Sequence, residues 1–220
     1  MLTYTLCFEL LSAATFGRGD GVAGLVDREV EHDRYGLPYV RGKTVRGLLA
    51  EECANILYAL RSHTSGDALR AEAEALFGTP GSSLDVQGSL RVGDARPPAA
   101  LVTAVSDEVT AQRLDPEAVL RACTAIRRQT SFNVHGAPEH GSLRSLRVVL
   151  PGMLFESEVV LPDEPSAKQK ALLAGCILAW RRGGTGRNRG RGRLRAWLRD
   201  ESGTDMTAQW FGMLQSEVAQ

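Results

Sequence analysis

The chain has 220 residues, 43% of them hydrophobic and 24% charged, which suits one soluble globular domain with a real core. Its 26 basic and 26 acidic residues cancel, so a uniformly basic nucleic-acid binder is excluded. Cys7, Cys53, Cys123 and Cys176 are widely separated in apolar surroundings and lack zinc spacing, no stretch is long enough to span a membrane, and the first residues lack the basic start of a signal peptide. The expectation is a reduced, cytoplasmic protein with no membrane partner.

Tyr4, Leu6, Phe8 and Leu10 alternate with polar residues and predict a strand with one buried face. A glycine-rich polar stretch from Phe16 to Gly24 follows, then Val26, Asp27 and a charged run to Arg34. The turn Tyr35-Gly36-Leu37-Pro38 leads to a helix opening at Lys43, whose Val45, Leu48, Leu49, Cys53, Ile56, Leu57 and Leu60 recur every three or four residues. Gly47 inside that helix costs about 1 kcal/mol against Ala, so another backbone is expected to approach it closely. A second helical piece runs from Gly66 to Phe77, and Leu84 to Val92 reads as a strand broken at Gly88. Residues 95–141, with Pro97-Pro98 and a short helix near Pro116 to Cys123, read as an insertion projecting from the core. Leu143 to Leu150, the turn Pro151-Gly152 and Met153 to Leu161 predict a β-hairpin. A helix over Ser166 to Arg181, a strand at Leu194 to Leu198 and a terminal helix complete the order. Two amphipathic helices against an antiparallel sheet is an α+β plan of the ferredoxin-like, RRM-like kind: one domain over 1–220, with 95–141 as a thumb-like insertion.

Charge is neutral in sum and uneven in place. Between Arg181 and Arg199 there are eight arginines and no acid. Here glycines alternate with Arg187, Arg189 and Arg191, between a helix and a strand. Glycine lets backbone amides approach phosphate, and arginine adds forked, charged donors; the bland alternative is a flexible solvated loop. A second basic point lies at Arg41-Gly42-Lys43-Thr44-Val45-Arg46, where cations sit in the first turn of a helix. Cations there oppose the helix dipole unless an anion is bound. The spacing is not that of a P-loop, and an ordinary basic helix start is the competing reading.

These segments carry a resemblance. Gly36-Leu37-Pro38-Tyr39-Val40-Arg41-Gly42-Lys43-Thr44-Val45-Arg46-Gly47 is similar to a signature of CRISPR-associated RAMP proteins. So, in the same order, are Leu76-Phe77-Gly78 with Gly88 to Ala95, Ala125-Ile126-Arg127-Arg128 with Gly141-Ser142-Leu143, Pro151 to Phe155, and the glycine loop Gly183 to Gly192. The sequence departs from the family where Arg41 and Lys43 replace a usual Pro and Ser, and where Arg127 replaces a usual Asp. Length and insertion most resemble the backbone subunits of type III effector complexes, copies of which stack along one guide crRNA beside other effector subunits. The resemblance implies that Arg41, Lys43, Thr44, Arg46, Arg187, Arg189 and Arg191 hold the guide backbone. It also implies that Phe132, Val134 and His135 on the insertion interrupt the guide–target duplex.

The same resemblance makes Asp27, in the loop before the Gly36-Leu37-Pro38-Tyr39 turn, the candidate catalytic residue for cutting complementary target RNA. Its role would be to hold a Mg²⁺ or orient the 2′-hydroxyl for attack on the adjacent phosphate. Taken alone, Asp27 reads as a solvated loop acid like Asp20, Glu29, Glu31 and Asp33. A purely structural subunit and a metal-independent guide-processing nuclease are the alternatives. The latter needs a histidine base, and His32, His63, His135 and His140 read better as lone surface histidines.

Overall fold

Alternation in the first segment becomes β1 (Leu2–Leu10), whose Leu6, Phe8 and Leu10 are completely buried. The computed structural model describes residues 1–63, 66–79, 88–131 and 133–218. After β1 come α1 (Gly42–Ala59), α2 (Gly66–Phe77), β2 (Arg91–Val92), α3 (Ala99–Thr110), α4 (Pro116–Cys123), β3 (Thr124–Gln129), β4 (Arg144–Val149), β5 (Leu154–Leu161), α5 (Ala167–Ala179), β6 (Leu194–Arg199) and α6 (Thr207–Val218). The main sheet has the order β2-β5-β1-β6, with every neighbouring pair antiparallel. Around it the chain runs β1-α1-β2-β5-α5-β6, the ferredoxin-like plan expected from the sequence. Helices α2 and α6 pack against α5 on the same side as α1, so that side carries four helices rather than two.

Phe8 forms the centre of the core. Its ring stacks on Phe155 with centroids 5.1 Å apart, tilts onto Trp180 at 4.8 Å and meets Phe16 edge-on at 6.4 Å. Such pairs contribute about 0.5–1.5 kcal/mol each beyond burial. Phe16 belongs to the glycine-rich stretch after β1, so this contact also fixes a loop. Val45, Leu48, Leu49 and Cys53 of α1 are buried in the same core, as the three- and four-residue spacing requires. Helix α5 starts with a capping box: Ser166 Oγ accepts from the Gln169 amide at 3.0 Å, and Gln169 Oε1 accepts from the Ser166 amide at 3.1 Å. Losing such a cap costs about 1 kcal/mol.

Three expectations need correction. First, β4 does not form a hairpin with β5. It pairs with β3 in a separate two-stranded sheet, while β5 pairs with β1 and β2. Gly152, at φ 84°, turns the chain between the sheets, and its amide bonds to the Leu10 carbonyl at 2.7 Å. A Pro-Gly turn flanked by two alternating segments looks the same from sequence whether it closes a hairpin or joins two sheets. Second, Gly47 is exposed and, among the described residues, nothing beyond its own helix lies within 4 Å of where its Cβ would be, so none of their backbone approaches it. Third, the insertion contains a regular helix, α3, none of whose residues is buried. Of the strand expected over Leu84 to Val92, only Arg91–Val92 is strand; its first half lies outside the described residues.

Candidate nucleic-acid interface

The glycine-rich segments at the two ends of the chain meet. The Thr185 amide donates to the Thr15 carbonyl at 2.8 Å, the Gly192 amide to Ala13 at 2.9 Å, and the Gly183 amide to Gly192 at 2.8 Å. A Cβ on Gly184 would press on the Thr15 carbonyl oxygen, and one on Gly192 would overlap that of Gly183. Both residues also have φ near 70–80° (83° and 69°), so glycine is needed for conformation and for space. The C-terminal loop is therefore stapled down rather than loosely solvated.

Between these segments and the start of α1 lies a cleft of about 390 Å³, lined by Phe16 to Gly19, Arg41, Lys43, Thr44, Gly184, Thr185 and Arg187. Lys43 and Thr44 are exposed on its wall. The first turn of α1 holds no acid, Arg41 at its N-cap makes no side-chain cap, and Asp94 accepts from the Gly42 amide at 2.8 Å. Lys43, Thr44 and glycine backbone thus face one concavity, whose one lining acid, Glu31, is answered by Arg41, and this surface can take up an anionic chain.

The remaining basic candidates divide by partner. Arg41 is bound to Glu31 at 2.6 Å, a hydrogen bond and charge pairing that raise its pKa; Glu31 also accepts from the Tyr39 hydroxyl at 3.1 Å. Arg187 grips Glu51 of α1 at 2.6 and 2.9 Å. Arg46 points away from the cleft, donating to the Leu90 carbonyl at 3.2 Å and the Phe77 carbonyl at 2.8 Å; its guanidinium ties α1 to the end of α2. Arg189 is exposed with no ion pair among the described residues, and Arg191 is half-buried with Nε and Nη1 lacking any partner. His135 is exposed on the loop between β3 and β4, its amide bonded to Asn133 Oδ1, beside a Val134 that is 95% exposed. Phe132 lies outside the described residues.

Asp27 sits apart, in a second concavity of about 630 Å³ shared with Gly21 to Val26, Arg128, Leu143 and Ser145. Its segment zips onto β4: the Asp27 amide donates to the Ser145 carbonyl at 2.9 Å, and the Arg147 amide to Arg28 at 2.9 Å. Asp27 Oδ2 accepts from the Ser145 amide at 2.6 Å and hydroxyl at 3.1 Å. These bonds, with Arg144 nearby, hold the exposed carboxyl below the usual aspartate range. Oδ1 has no partner among the described residues, and no group of three metal-ligating side chains occurs there. One ionised carboxylate with a free oxygen suits the kind of Mg²⁺ site completed by water and substrate phosphates, not a resident metal cage.

A residue pair that sequence reasoning missed holds this segment in place. Glu29 and Arg147 form a buried ion pair at 2.7 Å, 2% and 7% exposed. Glu29 also accepts from the Val30 amide, and Arg147 donates to the Thr124 hydroxyl at 3.3 Å. No spacing in the sequence links positions 118 residues apart. A buried acid reads the same as its solvated neighbours until the fold is known.

Comparison with curated protein sequences finds no match. Among solved structures, the fold is similar to a chain of a type III-B Cmr-beta in its apo state, at TM-score 0.60 and 12% identity, covering 90% of this chain and 97% of that one. It is similar also to a chain of type III-B Cmr-beta bound to cognate target RNA, at TM-score 0.58 and 13% identity, covering 89% and 97%. The RAMP superfamily model matches residues 7–195, which takes in the end of β1, both glycine segments and the start of β6, and the chain belongs to the RAMP superfamily.

Proposed function

We propose that this chain is a guide-RNA-binding backbone subunit of a type III CRISPR effector complex that also cuts complementary target RNA. The carrying observation is the convergence of both glycine segments on the start of α1, where the exposed Lys43 and Thr44 line the cleft between them. Family membership and the likeness to Cmr-beta chains, one of them in a structure with target RNA, support the setting. Phosphate contacts of this kind fix register and carry no sequence information; guide–target pairing supplies that. The partners are guide crRNA, target RNA, other effector subunits and stacked copies of this chain, in the cytoplasm.

For cleavage, Asp27 offers an ionised acceptor through Oδ1, which has no partner among the described residues. A carboxyl held below its ordinary range is a weak general base, so its role is to orient a 2′-hydroxyl toward the adjacent phosphorus; that hydroxyl's proton passes to water as the 2′,3′-cyclic phosphate forms, and the 5′-oxygen leaves in line and takes a proton from water. A Mg²⁺ bound by Asp27 together with RNA phosphates would supply neutralisation of charge on the phosphoryl oxygens. Arg128, which lines the same concavity, is placed to bind an RNA phosphate there.

One observation favours a second reading, a non-catalytic scaffold. Asp27 stands alone as a carboxylate and its other oxygen is committed to Ser145. Target-RNA cleavage by the guide-loaded complex with Mg²⁺, compared between wild type and Asp27→Ala, separates the two. Regularly spaced cuts lost in the variant, by about 10²-fold or more, support the nuclease. Equal products from both proteins would place the chemistry elsewhere, and an intact target with tight binding leaves the scaffold.

A further inference from the structure

Arginines elsewhere in the fold, such as Arg113, Arg147 and Arg199, sit against carboxylates. One group does not. Arg191 reaches from the C-terminal glycine loop to β3, where its Nη2 lies a long 3.4 Å from Gln129 Oε1. Its Nε and Nη1 are buried with no partner. Arg127 lies two residues before Gln129 on β3 and so projects from the same face. Arg189 belongs to the same turn of the loop, its amide bonded to the Gly186 carbonyl at 2.9 Å. Gly186 leaves open the space that the Arg191 guanidinium crosses. None of the three arginines is ion-paired among the described residues, whereas the neighbouring Arg187 is neutralised by Glu51. Burial first, then the charges of Arg127 and Arg189, lower the Arg191 pKa, so the cluster is unfavourable as it stands.

We propose that Arg127, Arg189 and Arg191 form one phosphodiester site that joins the β3–β4 hairpin to the glycine loop, so that a bound RNA phosphate fixes the hairpin against the loop. This rests on the RNA-binding reading above and goes beyond it. Forked donors arriving from a strand and a loop match the oxygens of a phosphate, and a loop of glycines gives the anion close approach. Without an anion, three like charges push the hairpin away from the loop. With one, the same charges hold it. The hairpin loop carrying Val134 and His135 is thereby set by occupancy of a site at its base.

The test uses the full chain and a single-stranded oligouridylate, following hydrogen exchange of the amides in 124–129 and 144–149. Oligouridylate should slow exchange there in the wild type. Arg191→Gln should abolish that protection and lower the log–log salt slope of binding by about 0.7, one phosphate contact. It should also melt at higher temperature than wild type in chloride, because the repulsion is gone. Arg127→Gln, at an exposed strand position, should lose the protection without touching the loop, while Arg193→Gln should keep it. Unchanged protection in both Arg191→Gln and Arg127→Gln overturns the proposal. So does equal protection by polyglutamate, which would make the partner an acidic protein. Tight oligouridylate binding with no change at the hairpin overturns the proposal and leaves RNA binding standing; no binding at all overturns both.

Discussion

The arginines between Arg181 and Arg199 fall on two surfaces that the sequence does not distinguish. On β6, Arg195 meets Glu9 at 3.2 Å and lies over the Trp197 ring, while Arg199 meets Glu156 at 2.5 Å. With Glu158, these residues line the face of the sheet opposite the helices, exposed or half-buried and balanced in charge. In the glycine loop, Arg189 and Arg191 have no acid, and Lys43 across the cleft has no ion pair among the described residues. A strand sets its side chains opposite cross-strand neighbours, so a carboxylate on β1 or β5 can answer each arginine. The glycine loop has one such answer, Glu51 of α1 for Arg187, and none for Arg189 and Arg191 among the described residues. Basic composition becomes an electrostatic surface only where the fold withholds the counter-charge.

The largest effect that would sharpen this contrast lies beneath the loop side. Replacing Arg147 by Met leaves Glu29 buried and unpaired, so stability should fall by about 3–5 kcal/mol, read from urea unfolding. A loss below about 1 kcal/mol would mean that the pair does not frame this side. Next, Lys43→Gln combined with Arg189→Gln should lower the salt slope of single-stranded RNA binding by about 1.4, two phosphate contacts, with no loss of melting temperature. The contrast would break if the sheet face did the same. Glu9→Gln with Glu156→Gln frees Arg195 and Arg199, and should raise non-specific RNA binding with a slope gain of up to about 0.7 for each arginine. A flat response would show that this face repels RNA by shape rather than by charge balance. The smallest effect is at Asp27. Its folded pKa is depressed, so its bonds to Ser145 should survive acidification through the ordinary aspartate range and be lost only as pH falls through its own lower value. NMR titration of that carboxyl reads this directly, and Ser145→Ala should move the titration back up.

Sequence periodicity was a good guide where one face of an element is buried. The alternation of Tyr4 to Leu10 and the spacing from Val45 to Leu60 report a half-buried strand and a one-sided helix, as β1 and α1 are. The glycine loop was legible because its composition suits only a tight, special backbone. Partnership was not legible. Nothing near Arg46 says that its guanidinium will meet two carbonyls, and nothing near Arg41 or Arg187 reveals Glu31 or Glu51 as their acids. The β4–β5 misreading has the same origin, since alternation shows that a segment is a strand but not which strand it pairs with. Helix α3 was missed although Val102, Val105 and Val109 recur at three- and four-residue spacing and are half-buried, because Pro97-Pro98 just before it read as the start of irregular structure.

Antiparallel pairing of β1 with β6 joins residues such as Glu9 and Arg195, which are 186 residues apart. During synthesis at about 5–20 residues per second, β1 waits roughly ten to forty seconds for the strand that completes its sheet. Throughout that interval one edge of β1 offers unpaired backbone groups to any other nascent chain. The loop that leads into β6, stapled to residues 12–15, closes at the same late moment. The cleft therefore forms only after the chain has been made through the glycine loop, so that a shorter nascent chain lacks it.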